Sequence, residues 1–328
     1  MTQNTTFFSH APVMLLEVLQ TLSPREGGVY VDATFGGGGY SRAILESCAC
    51  RVIAIDRDVD AVHRAQPFKE KYRERFDIAH APFSGLEAVL TSLNSPFVDG
   101  IVFDLGVSSY QIDDPDRGFS FRFDGPLSMA MGCNAMDAQH VINTYSEKEI
   151  SDILFRGEEP FARRIARAIV KKRTEKSIDT TQELASIVSS CKPQGKDAQH
   201  PATLTFQALR IFVNDELTEL KNALESCKNR LNPGGRLVVV TFHSLEDRIA
   251  KDFMRHESGG SPLPSRHVPL TSDHFLASRF PFFSLPFKKP MLPSEGELKE
   301  NPRSRSAKLR CAVRTHYSLN VEGESVDV

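Results

Sequence analysis

The sequence predicts an α/β fold, a mainly parallel sheet interrupted by an inserted all-helical domain, on three observations. Short apolar runs end in an acid at Asp32, Asp56 and Asp104; the region from Ile112 to about Phe212 has helical periodicity; and a strand pattern resumes at Arg236. Continuous apolar runs bounded by turns, with helical segments between them, mark strands covered on both faces of a parallel sheet.

The first strand is Val29-Tyr30-Val31, ending in Asp32, and the second is Val52-Ile53-Ala54-Ile55, ending in Asp56. A third is expected over Phe76 to His80, leading to Ala81-Pro82-Phe83, and a fourth over Gly100-Ile101-Val102-Phe103, ending in Asp104. Within the helical region Ser146 with Glu149, and Thr180 with Glu183, have capping-box spacing. Phe161, Ile165, Ala168 and Ile169 mark one apolar helix face, and Arg163, Arg164, Arg167 and Lys171 lie largely off it. A helix over Asp215 to Leu231 precedes the turn Asn232-Pro233-Gly234-Gly235 and the strand Arg236 to Phe242. Ser306 to Thr315 reads as a last, antiparallel strand, and the Pro-rich stretch from Pro262 to Pro293 as an extended loop ordered by substrate. Residues 1–111 and 213–328 are thus assigned to the sheet domain and 112–212 to the insert.

Composition narrows the class. A chain of 328 residues with 40% hydrophobic and 25% charged residues suits two modest globular domains. No run approaches the ~18 apolar residues that span a bilayer, and Phe7 to Pro12 has neither a basic leader nor a long apolar core, so a cytoplasmic protein is expected. Cys48 and Cys50 are the only close cysteine pair, Cys133, Cys191, Cys227 and Cys311 are scattered, and all six are read as reduced thiols. The net charge of -2 is uninformative, but Arg156 to Lys176 and Lys299 to Arg314 each carry a local net charge of +5. Such runs are either solvated helix faces or the footprint of a phosphate-backbone partner.

Val29 to Asp56 points to a nucleoside. Glycines at a strand-to-helix turn let backbone approach a ligand, and an acid ~20 residues on holds ribose hydroxyls. Gly36-Gly37-Gly38-Gly39-Tyr40-Ser41 and Asp56 supply both parts, but neither glycine frame completes G-x-G-x-x-G, because Ser41 and Arg42 occupy the third positions. A ligand with a nucleoside and no pyrophosphate, such as S-adenosylmethionine, fits that incomplete pattern, and Asp32 suits a cationic methionine head. A glycine-rich surface turn beside an ordinary Asp is the competing reading. Candidate ligand positions beyond the strand ends are Asp32, Gly36 to Tyr40, Asp56, Phe83, Asp104 and Phe242-His243-Ser244. His243 with Glu246 and Asp247 lacks a second His or Cys at ligand spacing, so no metal is expected.

Motifs along most of the chain carry a more specific resemblance. They are His10-Ala11-Pro12-Val13; Asp32-Ala33-Thr34-Phe35-Gly36; Asp104-Leu105-Gly106-Val107-Ser108-Ser109 with Gln111, Asp113 and Asp114; and Arg117-Gly118-Phe119-Ser120-Phe121. Further along come Arg164-Ile165-Ala166-Arg167-Ala168-Ile169, His200-Pro201-Ala202-Thr203, Phe206-Gln207-Ala208-Leu209-Arg210-Ile211, Phe242-His243-Ser244-Leu245-Glu246-Asp247-Arg248, and Asn301-Pro302-Arg303 with Arg305-Ser306. Together they resemble the MraW/RsmH family of bacterial methyltransferases. The resemblance implies a Rossmann-like S-adenosylmethionine-dependent methyltransferase fold, an inserted substrate-binding domain, and methyl transfer to the exocyclic N4 of a cytidine in the decoding region of 16S ribosomal RNA. Its partner would be the small ribosomal subunit, with no DNA and no membrane, and a homodimer stays open. Gly38, Gly39, Tyr40, Asp56, Phe83, Asp104 and Gln111 match the family's cofactor-binding positions. Tyr40 stands where the family usually has His, and Ser128, Ala130 and Gly132 stand where it commonly has Asp, Arg and Asp.

Transfer from sulfonium to nitrogen is an in-line displacement, so alignment in a dry site is the main contribution. Asp104 is the candidate acceptor for an N–H of the attacking amine, although no Pro-Pro-aromatic element follows it as in DNA amino-methyltransferases. Phe242, His243, Phe119 and Phe121 are candidate partners for an unstacked base. A nicotinamide oxidoreductase, a non-catalytic ribosome-assembly factor and a DNA amino-methyltransferase are the rival readings.

Overall fold

The computed structural model describes residues 12–132, 136–193, 200–260, 281–319 and 325–327. The chain divides into two compact units, Met1–Gly106 with Thr218–Val328, and Val107–Leu217.

The first unit opens with α1 (Leu15–Leu22), β1 (Val29–Asp32), α2 (Gly39–Ser47), β2 (Arg51–Asp56), α3 (Val59–Arg64), α4 (Gln66–Tyr72), β3 (Phe76–His80), α5 (Leu86–Ser92) and β4 (Val98–Asp104). The second contains α6 (Ser109–Asp113), α7 (Ala138–Thr144), α8 (Glu147–Arg156), α9 (Ala162–Arg173), α10 (Thr181–Cys191) and α11 (Thr203–Val213). Helix α12 (Glu216–Arg230) leads back to β5 (Leu231–Thr241), α13 (Ser244–Glu257), β6 (Phe283–Ser284), α14 (Glu295–Glu300) and β7 (Lys308–Arg314), and β8 (Tyr317–Leu319) pairs with β9 (Ser325–Asp327).

Seven strands form one sheet in the order β3-β2-β1-β4-β5-β7-β6. All neighbours from β3 through β5 are parallel, and β7 runs antiparallel to both β5 and β6. This is the mainly parallel, Rossmann-like sheet that the sequence predicts. Alternate strand residues enter two separate cores, because successive side chains point to opposite faces. Tyr30, Val52, Ala54, Val102 and Val238 pack with Val18, Ile44 and Phe68, while Val31, Ile53, Ile101, Phe103 and Val239 pack with Leu86, Leu224 and Ala250. Helices on both sides make the central positions of the parallel strands apolar on both faces. Strand order reverses between β1 and β4, so the crevice for a ligand lies at the carboxyl ends that carry Asp32 and Asp104.

Two details differ from the sequence reading. The expected turn Asn232 to Gly235 lies inside β5, as an irregularity between the pairs Val98 with Leu231 and Gly100 with Arg236, and Gly234 supplies the left-handed residue at φ 78°. Part of the Pro-rich stretch also joins the sheet, since β6 pairs Phe283 with Arg314 and Ser284 with Val313. A two-residue strand carries no periodicity to read. The rest of that stretch, 261–280, and Cys133 lie outside the described residues.

The helical unit has its own core, including Leu127, Val141, Ile150, Leu154, Ile165, Ile169, Leu184 and Leu209. Both expected capping boxes form, at Ser146 with Glu149 and at Thr180 with Glu183. Asn214 ties the Leu127 to Gly132 segment down by donating to the carbonyl of Met129 at 2.8 Å and accepting from the Met131 amide at 2.9 Å. Cys48, Cys50, Cys191, Cys227 and Cys311 are free thiols, and no helix among the described residues is long and apolar enough to cross a membrane.

Candidate active site

Asp32 organises the glycine turn. Its Oδ1 accepts from the Thr34 amide at 3.3 Å, and its Oδ2 from the Ser41 amide at 3.1 Å and the Ser41 hydroxyl at 2.7 Å. The sequence reading offered Asp32 to a cationic methionine head; in the structure its Oδ2 ties the end of β1 to the start of α2, and the residue is 1% exposed. Burial pushes its carboxyl up to about 6, against the opposing pull of these three hydrogen bonds. A raised folded pKa means that stability is complete below about pH 4 and declines as pH rises through about 6. Ser41→Ala is therefore expected to cost about 1–3 kcal/mol at pH 8, where Asp32 is ionised, and less at pH 5. Denaturant melts at the two pH values check the difference.

Gly36 and Gly38 are left-handed, with φ 53° and 76°. The packing of the protein itself requires Gly38 and Gly39 to lack a side chain. A Cβ on Gly38 would fall 2.4 Å from the Phe68 ring, and one on Gly39 would fall 2.1 Å from Pro12. The turn thus sits on an aromatic floor in which Phe35 meets Phe68 edge-on, with ring centres 5.2 Å apart. Tyr40 points into that core at 3% exposure and donates its hydroxyl to the carbonyl of Val13. Its side chain faces away from the crevice, which leaves its backbone as the part that can face a ligand.

Asp56 lies at the end of β2. Oδ2 accepts from the Gly36 amide at 2.7 Å, and Oδ1 from the Asp58 amide at 2.8 Å. Each oxygen keeps a lone pair, so the carboxylate can both brace the turn and accept two adjacent hydroxyls. Phe83 opens a short 3-10 turn after β3 and stands perpendicular to Phe103 at 5.7 Å. That contact fixes the ring at the strand end.

Asp104 is held by its backbone: its amide donates to Thr34 Oγ1 at 2.7 Å. Its Oδ1 is shut from solvent with no hydrogen-bond partner. Burial, followed by the charges of Asp32, Glu246 and Glu297, holds its carboxyl well above the ordinary range. Glu246 itself is 2% exposed and accepts from the amides of Phe242 at 2.8 Å and His243 at 3.3 Å. A bare carboxylate oxygen among three further acids is costly in an empty protein and favourable beside a cation. It also provides an acceptor for an N–H. The sequence marked Glu246 as part of a motif and of a rejected metal group with His243 and Asp247, and missed Glu297, whose single trace is the helix-start signature Ser294-x-x-Glu297.

The remaining expectations divide. Gln111 belongs to the helical unit, where its side-chain oxygen accepts from the Ser108 amide at 2.9 Å in the capping box of α6. Phe121 is already stacked on one face: His200 lies over it at 4.3 Å, and Phe206 makes a T-shaped contact with it at 5.0 Å. His243 serves as the N-cap of α13, its Nδ1 accepting from the Glu246 amide at 3.4 Å. Phe242 packs on the first core. Of the C-terminal basic run, Lys308 and Arg310 pair with Asp247 at 3.2 and 2.7 Å, and Arg314 covers the Phe282 ring. Much of that run is structural. In the other run, Arg167 approaches Glu147 at 3.5 Å, and Lys172 and Lys176 pair with Glu175 and Glu183. Arg156, Arg163, Arg164 and Lys171 are exposed, with no ion pair among the described residues.

Comparison with known proteins gives the chain's relatives. Residues 7–315 match the MraW methylase family. A protein of Hyphomonas neptunium named "Ribosomal RNA small subunit methyltransferase H" is 49% identical over 318 residues, covering 96% of this chain and 92% of that protein. One of the same name from Gluconobacter oxydans is 51% identical over 305 residues, covering 93% of each.

Proposed function

The chain belongs to the MraW methylase family, and from that membership we propose that it transfers a methyl group from S-adenosylmethionine to the exocyclic N4 of a cytidine in the decoding region of 16S ribosomal RNA. Small-subunit rRNA methylation is the family-level activity. Assignment to an exocyclic amine rests on one observation, the unpartnered Asp104 Oδ1 at the point where strand order reverses. An amine nucleophile carries protons that need an acceptor as its nitrogen becomes pyramidal.

When bound, S-adenosylmethionine supplies a methyl group activated by a sulfonium. Asp56 accepts the ribose hydroxyls, the backbone of Gly38, Gly39 and Tyr40 lines the close approach, and Phe83 lies against the adenine. The acids around Asp104 favour a cation over the neutral thioether left after transfer, so the same charges that hold the substrate weaken the hold on product. Asp104 Oδ1 accepts one N–H of the cytosine amine, which restores lone-pair density on a nitrogen conjugated to the ring, and holds the proton released on transfer. Gln111 remains a proposed cofactor contact of the helical unit.

The RNA-binding role falls to the helical unit, and the exposed cations of α8 and α9 support it. Replacing Arg163, Arg164 and Lys171 together by Ala is expected to lower affinity for small subunits and reduce the log-log salt slope by roughly 2, at about 0.7 per single-stranded phosphate contact. Arg167, beside Glu147, contributes less. Titrations at several salt concentrations, with cofactor binding as control, decide it; an unaltered slope leaves these residues a solvated face. Incubating the protein with labelled cofactor and small subunits from a strain lacking the activity tests the whole reading in the cytoplasmic partner. N4-methylcytidine is expected among the nucleosides, and label in any other nucleoside refutes the site of transfer.

A further inference from the structure

Glu297 is linked to the glycine turn through Met14, Val13 and Pro12. Pro12 fills the space over Gly39, and the carbonyl of Val13 accepts the Tyr40 hydroxyl. Met14 comes next, fully buried and left-handed at φ 53°. A residue with a Cβ stays in that region only where its surroundings over-determine it. The partner of its buried amide is Glu297 Oε1, at 2.7 Å and 283 residues away. Glu297 is in turn set by Ser294, which caps α14 and accepts from the Glu297 amide at 3.2 Å.

We propose that Glu297 is a positioning residue for cofactor binding, a latch whose carboxylate holds Met14 left-handed and thereby presses Pro12 and Val13 against Gly39 and Tyr40. The proposal rests on reading the glycine turn as the cofactor site. Without the acceptor, the Met14 amide has no partner and the left-handed backbone loses its main restraint. Relaxation at Met14 swings the Val13 carbonyl away from Tyr40 and frees the first turn of α2, whose backbone faces the ligand. Glu297 also contributes negative charge near Asp104. The two roles separate chemically, because Gln keeps an acceptor oxygen and removes the charge.

The test compares the full-length protein with Glu297→Ala, Glu297→Gln and Tyr40→Phe. It includes the Glu297→Ala/Tyr40→Phe double variant, and measures calorimetric affinity for S-adenosylmethionine, and amide exchange at Met14 and at Gly39 to Ser41 in the ligand-free protein. Glu297→Ala is expected to weaken binding about tenfold, the loss of one charge-assisted hydrogen bond, and to speed exchange at both segments. Glu297→Gln should keep wild-type exchange at both segments and lose clearly less affinity than Glu297→Ala, because it keeps the acceptor and removes only the charge. Tyr40→Phe should speed exchange at Met14, and its effect should not add to that of Glu297→Ala, because both break one chain of contacts. Wild-type affinity and exchange in Glu297→Ala overturn the latch, and so does a Gln variant as impaired as Ala, which assigns the effect to charge. Should Glu297→Ala fail to fold, unchanged Met14 exchange in Tyr40→Phe overturns it. Wild-type protein that binds no S-adenosylmethionine refutes the reading of the site, whereas the exchange measurements still judge the latch.

Discussion

Asp104→Asn is expected to slow methyl transfer by roughly a hundredfold to ten-thousandfold, the range of a lost general base, while weakening cofactor binding much less. The amide retains the shape of the side chain and loses the carboxylate that accepts the amine proton. The pH profile gives an independent signature. Burial and the neighbouring acids raise the Asp104 carboxyl, so wild-type kcat/KM should fall as pH drops through a value well above the ordinary carboxylate range. The limb in kcat should lie at lower pH, because a bound sulfonium favours the ionised form. Asn should lack the limb altogether. Stability should move the opposite way: a group with a raised folded pKa costs stability once pH rises through it. Asp104→Asn should therefore melt higher than wild type at pH 8 and equally at pH 4. Single-turnover rates across pH, with melts of the ligand-free protein, make the comparison; a variant with wild-type rate and profile removes Asp104 from the chemistry.

Asp56→Ala is expected to weaken S-adenosylmethionine binding by about 1.5–3 kcal/mol, roughly tenfold to 150-fold, through loss of a charged acceptor for two hydroxyls. The carboxylate also accepts from the amides of Gly36 and Asp58, so part of the loss comes from a looser turn. Asp56→Asn separates these contributions, since it keeps one acceptor oxygen and should recover part of the affinity. Calorimetry on protein whose melting confirms the fold decides it, and wild-type affinity in the Ala variant would falsify the placement of the ribose at the end of β2.

By itself, the sequence determined the local, repetitive part of this protein. The strands ending at Asp32, Asp56 and Asp104, the capping boxes at Ser146 and Thr180, and the amphipathic α9 are legible because each is written in consecutive residues: apolar runs, or polar groups three apart, whose physics needs no distant partner. Only the tertiary structure decided which polar groups are already spent. Asp32 was offered to a methionine head and also clamps Ser41; Tyr40, whose departure from the usual His put its side chain in doubt, turns that side chain into the core; Phe121, a candidate partner for a base, is stacked by His200 and meets Phe206. Arg310, Lys308 and Asp247 turn a basic tract into an internal ion-pair network. In the same way Glu297 lies 283 residues from its Met14 partner and leaves no local pattern. A hydrogen bond or an ion pair depends on distance in space, and once one is made the group has that much less to offer a ligand. Residue type and spacing therefore specify what each group is able to do, and the fold decides whether it is free to do it.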